Sequence, residues 1–126
     1  MQNRYAASYR GFDYLNLDEQ LSLGHTRLSI IDVSSTGDQP MHFDDRYSIV
    51  FNGEIYNYKE LKVTLISYGY TFSGNSDTEV ILKGFVQWGA EVLNKLRGMF
   101  AFAIWDSSKK QIFLARDRFG IKPLYY

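Results

Sequence analysis

No cysteine occurs among the 126 residues, which removes disulfides, thiolate metal sites and a cysteine nucleophile from this chain. An excess of charge of one sign is lacking too. The 14 Lys and Arg balance 14 Asp and Glu, so there is no electrostatic footprint for nucleic acid or an anionic membrane. Long hydrophobic runs are missing: a bilayer span needs about 20 consecutive apolar residues, and Met1-Gln2-Asn3-Arg4 leads into no signal-peptide core. A soluble, cytoplasmic chain is the expectation. His25 and His42 are the only histidines, neither with a second ligand at metal-binding spacing. Each reads as a satisfied or exposed side chain, and no metal site is expected.

Aromatic residues, at 17%, are plentiful, which argues for a packed core rather than a disordered tail. The length suits one domain. The first twenty residues show no clear period, and Leu21–His25 and Leu28–Ile31 read as short strands. A loop from Ser34 to Met41 leads to a β-branched and aromatic strand at Tyr47–Phe51. Tyr58, Leu61, Leu65 and Tyr68 fall on one face of a helix that Gly69 closes, with Asn57 as N-cap and Glu60 three places after it. Ser76-Asp77-Thr78-Glu79 is a capping box opening a second helix, whose stripe is Ile81, Phe85 and Trp88. A further short helix is predicted from Ala90 to Leu96. Met99–Trp105 is continuously apolar and suits a strand buried on both faces, with Gln111–Ala115 returning beside it as a hairpin. Strands, helices and strands in that order make an α+β or layered α/β arrangement.

Asn52-Gly53 carries two readings. After a run of β-formers it is a strong turn signal, yet Glu54-Ile55-Tyr56 leaves room for no more than a stub of returning strand before the helix. The second reading is chemical: an Asn amide beside a Gly backbone N–H offers two neutral donors, as stabilising an oxyanion in acyl transfer requires. Arg27, Glu54 and Asp77 each have a plain structural role available, as edge-strand cation, solvated turn residue and helix-dipole partner. Together they form a kit for a zwitterion such as a free amino acid. One guanidinium can fork onto a carboxylate, and two carboxylates can hold an ammonium. Arg116-Asp117-Arg118 fits an anion site or an internal salt bridge equally well.

Several stretches, Leu23-Gly24-His25-Thr26-Arg27-Leu28-Ser29-Ile30, Gln39-Pro40-Met41, Asn52-Gly53-Glu54-Ile55-Tyr56-Asn57-Tyr58, Ser76-Asp77-Thr78-Glu79, Gly98-Met99-Phe100-Ala101-Phe102-Ala103 and the run from Arg116 to Tyr126, occur here in order. In this the chain closely resembles the class II glutamine amidotransferase domain of glutamine-hydrolysing asparagine synthetases. The resemblance implies an N-terminal-nucleophile hydrolase fold, a four-layer αββα sandwich of two antiparallel sheets with helices on both outer faces. It implies that Arg27 binds the glutamine α-carboxylate, that Asn52 and Gly53 supply the oxyanion hole, and that Glu54 and Asp77 hold the α-ammonium. Glutamine is then the substrate, and no cofactor belongs to this domain. ATP and Mg²⁺ would serve a C-terminal synthetase domain, the expected partner, and a homodimer is compatible with the family.

The family begins Met-Cys-Gly-Ile, and its cysteine is the nucleophile, with its own α-amino group as base. Here the chain starts Met1-Gln2-Asn3-Arg4. Residues 1–126 are therefore expected to be a partial amidotransferase domain, cut at both ends and inactive alone. Two explanations stand side by side: a fragment of an asparagine synthetase, or a non-catalytic amino-acid-binding or scaffold domain of a synthetase-like enzyme that has lost its nucleophile.

Overall fold

The computed structural model describes residues 5–9, 12–18, 21–26 and 38–122. Arg27, the predicted strand Leu28–Ile31, the loop residues 34–37 and residues 123–126 lie outside them. β1 (Tyr5–Tyr9), β2 (Phe12–Asp18) and β3 (Leu21–Thr26) form an antiparallel three-stranded sheet in the order β1-β2-β3. β4 (Met41–Phe43), β5 (Tyr47–Ile55), β6 (Gly98–Asp106) and β7 (Gln111–Arg116) form a second sheet in that order, with every pairing antiparallel. Between β5 and β6 come α1 (Tyr58–Ser67), α2 (Asp77–Trp88) and a 3-10 turn at Gly89–Asn94.

Two antiparallel sheets with helices packed on one of them make the expected α+β arrangement. The unpatterned first twenty residues are in fact mostly strand, β1 pairing with β2 from Tyr9↔Phe12 outward. Their strand character comes from partners along the sheet rather than from a local period. β4, predicted as the end of a loop, is likewise only three residues long, too short to carry a period. The helix predicted at Ala90–Leu96 is a 3-10 turn.

Alternation along β5 sorts its residues between two faces. Ile49, Phe51 and Ile55 point to the helices and are buried with Leu61, Leu65, Ile81 and Leu82. A fully buried side chain of this size contributes about 1.5–3 kcal/mol, so this cluster dominates the stability of the helix-covered face. Val50, Asn52 and Glu54 lie on the other face. β6 is buried on both faces as predicted: Phe100, Phe102 and Ile104 toward the helices, Ala101, Ala103 and Trp105 away from them.

α2 is amphipathic in an unusual way, since residues 77–84 are all buried, charged ones included. Lys83 pairs with Glu79 at 2.8 Å, donates to the Thr71 carbonyl, and sits over the rings of Phe43 and Phe72. Glu79 also accepts from Ser73 N at 3.0 Å. The loop before α2 is thus tied to the helix, which fixes where Asp77 begins.

β7 stands at the edge of its sheet, and Ile112 and Leu114, on its face away from the helices, are 40% and 36% exposed. Among the described residues no strand covers that edge, and an open edge beside exposed apolar side chains templates pairing with another chain. Residues 1–126 are therefore expected to self-associate with rising concentration and to melt at low temperature. Light scattering that reports a monomer throughout, with a high, cooperative melting transition, would contradict this.

Candidate functional site

The Asn52-Gly53 stretch is not a turn. β5 runs straight through it, paired with β6 in the register Asn52↔Ala101, Gly53↔Phe100, Glu54↔Met99 and Ile55↔Gly98. The turn signal is overridden because glycine is needed for another reason. Gly53 has φ +145, and a Cβ on it would lie 2.0 Å from the Met99 carbonyl oxygen and 2.8 Å from Phe100 Cα. Only a residue without a side chain tolerates that approach of two backbones. Asn52, one residue earlier, is exposed, and its side-chain amide makes no hydrogen bond to any described residue.

The far edge of β5 decides what Gly53 can do. β4 pairs with β5 only as far as Met41↔Ile49, so beyond Ile49 that edge has no neighbouring strand among the described residues. Its N–H groups recur every second residue. The Phe51 N–H is taken by the side-chain oxygen of Gln39, and the Ile55 N–H donates to Asp77 Oδ2 at 3.1 Å. Gly53 lies between them on the same edge, and no described side chain accepts from its N–H. A donor held in line by two satisfied neighbours is the geometry of a preorganised anion or carbonyl site.

α2 delivers the charge. Ser76 caps it, its hydroxyl accepting from Thr78 N at 3.1 Å. The predicted capping box is half made, because Glu79 turns away to Ser73 and Lys83. Asp77 is 6% exposed. Burial raises its pKa above the ordinary aspartate value, the backbone N–H groups of Ile55, Thr78 and Asp77 itself partly offset that, and the nearby Glu54 charge pushes it further up. Two carboxylates close enough to repel, one of them buried, make a place where a cation is favourable.

That shift has a sign that can be tested. A carboxyl whose folded pKa lies above its unfolded one contributes stability below the unfolded value, and loses it as pH rises through the folded one. Above its raised pKa the ionised Asp77 therefore works against the fold. Asp77→Asn keeps an acceptor for Ile55 N without the charge. It is expected to melt higher than the parent above that raised pKa, the gap closing on acidification through it. A melting gap that is constant with pH, or of opposite sign, would contradict it.

Other sequence expectations resolve differently. Asn57 occupies the N-cap position of α1 but makes no side-chain cap. Its amide instead donates to the Lys95 carbonyl at 2.8 Å and accepts from Arg97 N at 2.9 Å, tying the start of α1 to the approach to β6. Arg116 and Asp117 do not pair with each other. The Asp117 carboxylate is caged by the N–H groups of Phe100, Phe119, Ile121 and Lys122, while Arg116 donates to the carbonyls of Gly120 and Lys122. Burial alone would raise the Asp117 pKa, but the four N–H groups hold it below the usual value. His42 Nδ1 lies 2.9 Å from the Ser48 hydroxyl, a satisfied histidine as predicted. Gln39 is a residue that sequence reasoning gave no role, although it stands in the Gln39-Pro40-Met41 stretch that carries the resemblance. A separate cavity of about 260 Å³ opens at the other end of β5, among Tyr47, Phe85, Ile104 and Phe113; it is remote from Gly53 along the strand.

Residues 2–126 match the model of a family described as a glutamine amidotransferase domain. The chain belongs to this family. It is 54% identical over 110 residues, 86% of this chain, to asparagine synthetase [glutamine-hydrolyzing] 1 of Bacillus subtilis (strain 168). It is 45% identical over 111 residues, again 86% of the chain, to the amidase chry2 of Gibberella zeae. Among solved structures, the glutamine phosphoribosylpyrophosphate amidotransferase of B. subtilis superposes with a TM-score of 0.67 at 25% identity, over 81% of this chain and 24% of that one. The amidotransferase chain spans only 17% and 16% of the two curated relatives. Relatives named as glutamine-hydrolysing asparagine synthetases and relatives named as amidases both match it, and what they share with this chain is the amidotransferase domain. Of its five predicted site residues, the structure brings Asn52, Gly53, Glu54 and Asp77 to one end of β5, and Arg27 lies outside the described residues.

Proposed function

We propose that this domain is the glutamine-binding and oxyanion-stabilising part of a glutaminase site, working for an asparagine synthetase. The Gly53 N–H on the β5 edge, from which no described residue accepts, with Asp77 held beside it at Ile55, is the observation that carries this reading. Glutamine would lie along that edge, its α-ammonium between Glu54 and Asp77 and its α-carboxylate on the Arg27 guanidinium. Its side-chain carbonyl would reach the Gly53 N–H and the Asn52 amide. A thiol that gives its proton to its own α-amino group attacks that carbonyl carbon and moves the C=O electrons onto oxygen, where both donors grow stronger; the proton passes to the departing nitrogen, and collapse expels ammonia. Water then releases glutamate from the thioester. The thiolate is not among these 126 residues, so it must be supplied by a cysteine outside them.

In the complete protein the ammonia would pass to a synthetase domain that uses ATP and Mg²⁺ to amidate aspartate, in the cytoplasm, the chain itself holding no cofactor. Whether that protein pairs as a homodimer is a matter for its own solution mass. The second reading, a domain that binds an amino acid or supports a partner without catalysis, is favoured by the absence of cysteine from this chain. Residues 1–126 alone are expected to release no glutamate above background, because no side chain here replaces the thiolate. Glutamate release proportional to protein and retained through repurification would contradict that. A thermal-shift titration separates a binding site from a scaffold. Glutamine is expected to raise the melting temperature where equal concentrations of asparagine do little, and identical responses to glutamine, glutamate and asparagine would sink the assignment.

A further inference from the structure

We infer that Gln39 is a positioning residue: its side-chain amide stands in for the strand that β4 fails to provide, and so leaves the Gly53 N–H open for the substrate. The inference rests on the glutamine reading above and extends it to a residue outside the predicted set. β4 ends its pairing at Met41↔Ile49. Had it continued backward along β5, residue 39 would face Phe51, and the next stretch would cover Gly53. The chain departs instead, with Pro40 following Gln39.

Gln39 then turns its side chain back to the strand. It is 7% exposed, its Oε1 accepts from Phe51 N, and its Nε2 donates to Thr78 Oγ1 at 3.3 Å. One planar amide therefore joins the two elements that must be held in register, β5 with its Asn52-Gly53 donors and the first turn of α2 with Asp77. The second tie between them is Ile55 N to Asp77 Oδ2 at 3.1 Å. Gly53 lies between these two ties. Among the described residues, side chains fill the positions that a neighbouring strand would occupy on either side of it, but not its own. Leaving the Phe51 N–H buried without an acceptor would destabilise as well as loosen the site, so the test must separate the two effects.

Gln39→Met keeps the length of the side chain and removes both hydrogen bonds. Leu65→Ala, in the core under α1 and away from the β5 edge, serves as the stability control; such truncations cost about 2–5 kcal/mol. Amide hydrogen exchange on the unliganded chain is expected to find Phe51 and Ile55 protected and Gly53 fast, with Phe51 alone becoming fast in Gln39→Met. Calorimetric titration with L-glutamine, at a temperature where all variants are folded, is expected to give about tenfold weaker binding for Gln39→Met. Leu65→Ala should stay within about twofold of the parent. Unchanged affinity in Gln39→Met, or equal weakening in both variants, overturns the positioning role. A parent chain that binds no glutamine, with the exchange pattern intact, overturns the glutamine reading while leaving the Gln39 clamp standing.

Discussion

Joined to a Cys-led N-terminal segment of its family, this chain is expected to hydrolyse glutamine, and Asn52→Ala in that protein to lower kcat by about 10²-fold or more with KM less affected. Asn52 is exposed and uncommitted, so its amide has no structural work to lose. Its donor strengthens only as negative charge develops on the carbonyl oxygen, and its removal falls on the transition state. Arg27→Ala is expected to behave differently. Removing a carboxylate clamp weakens substrate and transition state alike, so the loss appears chiefly in KM, with some loss of kcat if the amide is misplaced. The two variants are to be compared by steady-state glutamate release. Equal effects on kcat alone, or full activity without Asn52, would mean that these donors do not face the reacting carbonyl.

Gly53→Ala is expected to damage the fold itself. A φ of +145 is one that L residues rarely adopt, and the new Cβ would sit 2.0 Å from the Met99 carbonyl oxygen, an atom of the paired strand that cannot swing aside as a side chain would. Backbone strain of this kind costs about 1–3 kcal/mol by itself, and forcing β5 from β6 adds to it. Against a total stability of about 5–15 kcal/mol for an intact domain, that is a large fraction. The variant is expected to lose most of its melting transition or to fail to accumulate as soluble protein. Asn52→Ala, one residue away, is expected to melt within about 0.5 kcal/mol of the parent, as an uncommitted surface change does. A Gly53→Ala protein that melts with the parent would show that β5 and β6 can separate here at little cost.

Adjacent residues thus answer to different constraints, and this explains how much of the molecule is legible in its sequence. α1, α2, β6 and β7 are readable because each carries its own period: Leu61 and Leu65 four apart, or Phe100, Phe102 and Ile104 alternating with small residues. β1 and β2 are not readable, since their pairing is decided between strands. The local shape of Asn52 and Gly53 is misjudged. A turn signal describes what a dipeptide prefers alone, whereas Gly53 is fixed by Met99 and Phe100, which lie far along the chain. Asn57 fails in the same way: its preference for capping yields to Lys95 and Arg97 on another segment. Asp77 is legible as the first residue of a helix, and its contact with the Ile55 N–H is not. Gln39 is the extreme case, a residue whose work exists only once β4 has stopped short.

The claim that glutamine lies along the β5 edge is tested most directly by titrating L-glutamine into the isotopically labelled chain and following its backbone amides by NMR. The expected result is a saturable shift centred on Gly53, Glu54 and Asp77, with the Gly53 amide proton moving downfield as it gains an acceptor. Saturable shifts confined to the cavity among Tyr47, Phe85 and Phe113, or none at the Gly53 end of the strand, would contradict the account.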